Sequence, residues 1–373
     1  MTPRTGLATA RRHLARSGAV ALITTLGLVL AAQPALASPP QKPVFKTWGA
    51  TAAVKAQLIL GNTLYIGGAF TNVISPDGLT TTSRQHLAAI DLTTGGLLSW
   101  APTTNGTVEA LATDGTNIIV GGSFTNINGT SRTRIGAVDQ SGAVIPWATG
   151  ANDTVSALFV SGSTVYVGGK FTTMGGQSRQ RLGAVTTAGA LLSWTASAND
   201  RVKALTMAGG AVIAGGYFTE LNGQNQRHIV RLDAVSGATL PWAYQSSDEV
   251  FGLVTGPDGN VYAAIAGLLG KVRSWTSTGQ LRWTTGTDGD VNAVTYYNGQ
   301  VIAGGHFITL KDQTFTIPRL AALDPSNGAP DPTWVPKPNK QIWAFATDGT
   351  NLAVGGIFTN VSNGTYRRVA LFR

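Results

Sequence analysis

The chain contains no cysteine, which excludes a disulfide scaffold, a cysteine-ligated zinc site and a thiol nucleophile together. Charge is scarce as well: 12% of the 373 residues are Asp, Glu, Lys or Arg, about half the usual share of ~25%. Methionine occurs three times, and beyond residue 37 there are three histidines (His86, His228, His306) and three glutamates (Glu109, Glu220, Glu249). No run of five basic residues and no nucleic-acid motif is present, so nucleic acid is not an expected partner. There is no G-x-S-x-G elbow, phosphate loop or sialidase-type Asp box, and a glycosidase would need two carboxylates placed across one bond. Helical periodicity is missing from the whole chain after residue 37. With 43% hydrophobic residues, it is nevertheless no disordered polymer. What it has in quantity is glycine (47) and tryptophan (9), which suit many short strands better than packed helices.

The first residues read as an export signal. Arg4, Arg11, Arg12 and Arg16 precede an apolar run from Ala19 to Ala32, followed by Pro34-Ala35-Leu36-Ala37. A positive flank, a core of about 14 residues and an A-x-A-like site predict cleavage after Ala37. The core is shorter than the ~20 residues of a membrane span, no second span follows, and no cysteine stands at the cleavage site to carry a lipid. Arg11-Arg12 leaves twin-arginine export open beside the general route. Without the four arginines, the 27 basic residues fall to 23 against 18 acidic ones, a mild excess that sets ordinary solubility. The expected division is a signal peptide over 1–37 and one domain over 38–373.

That domain is one repeat, written seven times. Gly67-Gly68, Gly121-Gly122, Gly168-Gly169, Gly215-Gly216, Gly304-Gly305 and Gly355-Gly356 recur with one unit skipped between Gly216 and Gly304, so that Gly67 to Gly355 spans six repeats of 48 residues on average. Two residues later stands Phe70, Phe124, Phe171, Phe218, Phe307 or Phe358. Upstream lies a V-x-A-L-like tetrad starting at Val54, Val108, Val155, Val202, Val250, Val291 and Ile342, and Trp100, Trp147, Trp194, Trp242, Trp283 and Trp334 close the first six units. The fifth unit is shorter and has Ala263-Ala264 in place of the glycine pair. Asp114-Gly115, Asn298-Gly299 and Asp348-Gly349 are hairpin turns. Four short strands per 40–50 residues predict the blade of a β-propeller.

The small tetrad residues Ala56, Ala110, Ala157, Ala204, Gly252, Ala293 and Ala344 fit first strands that converge on a central channel. The recurring Phe and Trp belong between blades rather than on a carbohydrate platform. From Trp100 to Val108, and likewise from Trp334 to Ile342, is eight residues, yet the seventh unit stops at Phe372-Arg373 after its third strand. Val44–Trp48 therefore supplies the missing outer strand. The predicted fold is all-β: a seven-bladed β-propeller of four-stranded blades, its ring closed by the N-terminal strand pairing into the last blade.

Units such as VYVGGKFTTMGGQSRQRLGAV and NIIVGGSFTNINGTSRTRIGAVDQSG resemble the delta-sixty-type propeller repeats of secreted bacterial proteins. They are also similar to repeats in the fungal cortical marker of cell polarity. The resemblance covers the chain from about Val44 onward. It implies extracellular or cell-wall placement and an interaction role, and carries over no catalytic residue.

The functional expectation is a secreted, non-enzymatic binding or scaffold module for an extracellular or cell-surface glycan or protein. It is expected to be monomeric, without cofactor, metal or a membrane span in its mature form. The alternative is a propeller hydrolase or lyase acting on an extracellular polymer. Asp91, Asp139, Asp233 and Asp324 sit at equivalent turn starts, where Asp caps its own backbone. Ala89-Ile90-Asp91 with Thr94-Gly95 and Trp100 is a poor copy of the tryptophan-docking repeat of quinoprotein dehydrogenases. Asp288, Asp290 and Asn292 open like a calcium loop but lack its glycine and closing glutamate. The candidate ligand-binding residues are one basic group per unit just before strand three: His86, Arg134, Arg181, His228, Lys271, Arg319 and Arg368. They form a rim with Asn105, Asn152, Asp153, Asn199, Asp200, Asp248, Asp288 and Asn339 of the loops between units. The competing role for each basic group is to clamp a neighbouring Asp or carbonyl.

Overall fold

A computed structural model describes residues 38–267, 269–310 and 314–373; the expected signal peptide lies outside the described residues. Among these, the regular structure is strands and turns, without helix. Of the thirteen antiparallel sheets among the described residues, the seven that contain a tetrad strand follow one another along the chain. The first is Val54–Leu60, Thr63–Gly68 and Leu87–Asp91; the last is Ile342–Thr347, Leu352–Gly356 and Val369–Phe372. In each, the tetrad strand is the inner one; in six it pairs with the strand that ends in the glycine pair, and in the fifth with Val261–Ile265. Each inner strand also packs against the inner strand of the next sheet, and Ile342–Thr347 packs against Val54–Leu60.

The four-strand expectation holds fully in the fourth and fifth units, where Thr239–Leu240 and Leu281–Gly286 complete the sheets. In the first, second, third and sixth units the outer segment shrinks to a single bridge, as in Ile90↔Leu97 and Val185↔Leu191. Backbone bonds such as Leu98 N to Ala89 O and Leu192 N to Ala184 O hold it to strand three, and in the first three units a side chain adds to them. Arg84, Arg132 and Arg179 each donate from Nη2 to a carbonyl of that segment, at Leu98, Ile145 and Leu192, over 3.1, 3.0 and 3.0 Å. Short hairpins such as Thr173–Met174 with Gln177–Ser178 fill the loop between strands two and three.

The repeat has a steric explanation at atomic resolution. A Cβ on Gly67 would lie 2.5 Å from Val108 Cγ1 of the next unit, and one on Gly68 would lie 2.0 Å from the Ala53 carbonyl oxygen. The same pair of contacts recurs at Gly121 with Val155, Gly168 with Val202, Gly215 with Val250 and Gly304 with Ile342; Gly355 faces Val54. One glycine admits the neighbouring sheet, and the other admits the chain's own backbone. The fifth unit departs from this rule: Ala264 and Ile265, rather than the expected Ala263 and Ala264, stand in register with the glycine pairs, opposite Gly252 and Val250. Elsewhere the tetrad alanine pairs with a glycine, as Ala56↔Gly67, whereas here Gly252 pairs with Ala264. The methyl group has changed strands.

Because the sheets approach so closely, the core lies between them. Tyr166 and Leu182 of the third unit share a cluster with Val212 and Phe218 of the fourth, and Val54 and Leu64 share one with Ala353 and Leu371. All six recurring phenylalanines are buried. The tryptophans reach across as well: Trp100 Nε1 donates to Asp139 O, Trp194 to Asp233 O and Trp283 to Pro325 O, each in the following unit. Trp334 makes the corresponding bond, 2.9 Å, to Pro40 O. Val44 N donates to Leu371 O at 2.8 Å, and Ser38 Oγ to Asp331 Oδ2 at 2.5 Å. Residues 38–48 form no regular strand. Trp48, expected to close the last unit, is half-buried; the ring over Gly95 is that of Phe45.

Candidate functional site

The seven basic candidates are placed by backbone as much as by charge. His86, Arg134, Arg181, His228, Arg319 and Arg368 all have φ between 63° and 71°, the left-handed region that costs a side-chain-bearing residue about 1–2 kcal/mol. Each turns the chain into strand three. Their side chains are largely committed. His86 Nδ1 and His228 Nδ1 lie 3.1 and 3.3 Å from the carbonyls of Gly68 and Gly216, and burial pushes the His86 imidazole below its ordinary pKa. Arg134 donates to Ser123 O, Arg319 to Pro338 O at 3.3 Å and Arg368 to Ala50 O at 2.8 Å. Lys271 pairs with Asp248 at 2.6 Å. Arg181 reaches Gln180 Oε1 alone, at 2.7 Å.

The loop amides of the expected rim are committed in the same way. Asn105 Oδ1 accepts from the amides of Thr125 and Asn126 while its Nδ2 donates to Thr125 Oγ1. Asn152, Asn199 and Asn339 repeat this clamp. Asp288 accepts from Ile308 and Thr309, Asp290 from Gly267, and Asn292 donates to Ile342 O, so the calcium-like trio is occupied with backbone. Among the described residues, no group of three or more His, Asp or Glu side chains gathers to hold a metal ion. Asp91, Asp139, Asp233 and Asp324 accept from their own turns.

The inner strands converge on a cavity of about 380 Å³ lined by Lys55, Glu109, Ser156, Arg201, Lys203, Tyr217, Phe251, Asn292, Gln341 and Trp343, a volume in the range of roughly 300–1,000 Å³ typical of small-ligand sites. Seven of these are the variable second residue of the tetrads. The constant positions of the motif mark the strands and draw the eye away from x. Yet x is where the units disagree: Lys, Glu, Ser, Lys, Phe, Asn, Trp. Two further variable positions join it, the residue before the tetrad (Arg201, Gln341) and the residue after the glycine pair (Tyr217). A narrower cavity of about 210 Å³ runs on past all seven inner strands.

The electrostatics of this cavity are uneven. Lys55 Nζ pairs with Glu109 Oε1 at 2.6 Å and stands 5.8 Å from the Trp343 ring centre. Arg201 Nε donates to Ser156 Oγ at 3.0 Å. Trp343 Nε1 donates to Gln341 Oε1 at 3.0 Å, and the Tyr217 and Phe251 rings lie 5.4 Å apart. The Lys203 ammonium has no hydrogen-bond acceptor among the described residues. Burial, with Arg201 and Lys55 nearby, pushes its pKa down to about 8 against the pull of Glu109. Burial likewise raises the Tyr217 phenol.

A sequence profile described as "Domain of unknown function (DUF5122) beta-propeller" matches residues 117–135 and 210–238. No curated protein matches the chain. Among solved structures, it is similar to the computationally designed Ika8 protein (15% identity, TM-score 0.56, covering 89% of this chain and 99% of that one). It is also similar to the WD40 beta propeller domain of Doa1 (13% identity, TM-score 0.57, covering 90% and 97%). At such identities the likeness bears on fold alone. The fold is all-β, of the β-propeller class. No helix among the described residues is long and apolar enough to cross a membrane.

Proposed function

We propose that the chain is a seven-bladed β-propeller that binds an extracellular or cell-surface glycan or protein without turning it over, and that the ligand enters the cavity between the inner strands. The ring reading is supported by the contact of Ile342–Thr347 with Val54–Leu60 and by Trp334, which finds in Pro40 the carbonyl its counterparts find in the next unit. Residues 38–48 then stand in for the outer segment of the last blade. One observation carries the binding reading: side chains that repeat build the sheets, while those that differ from unit to unit meet in one cavity. A packed core gains nothing from that variety, whereas a site that must hold one asymmetric ligand requires it.

The groups of the basic rim mostly serve the backbone, and Arg181 is the guanidinium among them bonded to a side chain, Gln180, rather than to a carbonyl of the main chain. Export supplies the setting: mature protein begins at Ser38, as N-terminal sequencing of protein recovered from the medium will read. The binding reading is tested by retention on immobilised extracellular polysaccharides and cell-wall preparations, with product formation followed in parallel. Retention without product, lost in Trp343→Ala, is the expected result. Product formation would replace it with the hydrolase or lyase reading.

A further inference from the structure

Three cations and one anion line the cavity, and the single ion pair, Lys55 with Glu109, leaves Arg201 and Lys203 uncompensated. Arg201 spends one N–H on Ser156 and retains the rest of its guanidinium fork; the Lys203 ammonium retains all three donors. Two aromatic faces, Trp343 and Phe251, stand on the same wall system. Neutral polar capacity is left over too. Ser156 accepts from Arg201 and keeps its hydroxyl proton to donate, and Asn292 donates through Nδ2 and keeps Oδ1 to accept. Lys203 is half-buried and its ammonium is open to solvent, so a ligand that displaces the water around it must itself bring the missing anion.

We propose that the cavity is a site for a sugar acid, a pyranose ring carrying one carboxylate, with the carboxylate between Lys203 and Arg201 and the ring face against Trp343 or Phe251. This rests on the cavity reading above and adds the ligand class. A carboxylate matches the planar fork of Arg201 and completes the valence of Lys203. The C–H face of a pyranose suits an aromatic wall. Ring hydroxyls, each donor and acceptor at once, use both the Ser156 proton and the Asn292 oxygen. An aromatic carboxylate would leave those two groups unpaired in a site from which water has been displaced, a loss for every buried polar group so abandoned. A simple inorganic anion would leave the aromatic walls unused.

The test is calorimetric titration of the mature protein with sodium glucuronate, sodium galacturonate, methyl glucoside and sodium benzoate, repeated on Lys203→Met, Lys203→Arg and Trp343→Ala. A uronate is expected to bind more tightly than methyl glucoside and benzoate. Lys203→Met weakens the uronate by about 10- to 100-fold, the worth of one charge-assisted hydrogen bond, and leaves methyl glucoside unchanged. Lys203→Arg keeps uronate affinity within a few fold and shows that the loss in Lys203→Met is one of charge, and circular dichroism verifies that each variant is folded. If methyl glucoside binds as well as the uronate and Trp343→Ala weakens both, the sugar-acid class is overturned while the cavity stands. Preference for benzoate overturns the sugar. Uronate binding untouched by Lys203→Met and Trp343→Ala alike, or no binding by any of the four, overturns the site itself.

Discussion

Lys203 carries the clearest pH signature at the scale of single residues. Its amine titrates near 8 in the folded chain, against about 10.4 in an unfolded one. Between those values the unfolded state holds the extra proton, so stability rises with pH across the window from about 8 to about 10; below 8 both states are protonated and the penalty is constant. Burial is the main cause, Arg201, Lys55 and Lys170 push in the same direction and Glu109 opposes them, while burial raises the nearby Tyr217 phenol. Urea midpoints for the native protein and Lys203→Met at pH 7, 8.5 and 9.5 should therefore converge as pH rises; parallel profiles would show that Lys203 is not strained. The rim makes a second prediction. Arg368→Ala strips a donor from Ala50 O, and Arg134→Ala and Arg319→Ala strip donors from Ser123 O and Pro338 O; each should lower stability by about 1–3 kcal/mol. Arg181, bonded to its own neighbour, should cost less than about 0.5 kcal/mol as alanine, and Arg181→Gly should stabilise by roughly 1 kcal/mol through relief of its left-handed backbone. Thermal melts of the five variants decide it.

The exchanged methyl of the fifth unit gives an equally sharp expectation for the strands. A Cβ on Gly252 would lie 3.3 Å from that of Ala264 and 3.2 Å from the Ala293 Cα. Gly252→Ala overpacks this contact and should cost about 1–3 kcal/mol. The double variant Gly252→Ala with Ala264→Gly restores the pairing of the other units and should recover most of that loss, a coupling that a double-mutant cycle reads directly. The sequence displayed both departures without showing that they are one, because register is invisible until strands are paired. Strand positions, hairpin turns and the glycine pairs were legible, since each rests on local sterics or period-two patterning. The outer strands were not: four of them are held by Arg84, Arg132, Arg179 and single bridges rather than by a ladder. The rim was legible as a row of basic residues, but its left-handed backbone was not, since nothing in a basic side chain announces a positive φ. The cavity went unseen for a different reason. Its residues are those on which the repeats disagree, and a search for likeness discards them.

At the scale of the whole molecule, the proposed ring makes the contact between the first and last units a test of stability. Deleting residues 39–48 removes the acceptor of Trp334 Nε1, the donor to Leu371 O and the Phe45 ring over Gly95. The loss should far exceed that of an ordinary exposed terminus, and Phe45→Ala should cost more than Trp48→Ala, because the Phe45 ring covers the first unit's turn. Calorimetric melting of the three variants is the check; an unchanged melting temperature for the deletion would remove residues 38–48 from the ring.

In the proposed site, the seven inward side chains, of six kinds, would also set how many ligand molecules one chain can hold. In the proposed ring the units share one strand pattern but not one chemistry, since Lys203, Phe251, Glu109 and Trp343 hold equivalent tetrad positions. A ligand meets a pseudo-symmetric frame with a single orientation inside it. Sevenfold copying of the scaffold is thus compatible with a stoichiometry of one, and a substitution at any of the seven inward positions can retune what is bound without disturbing the contacts by which neighbouring sheets recognise each other.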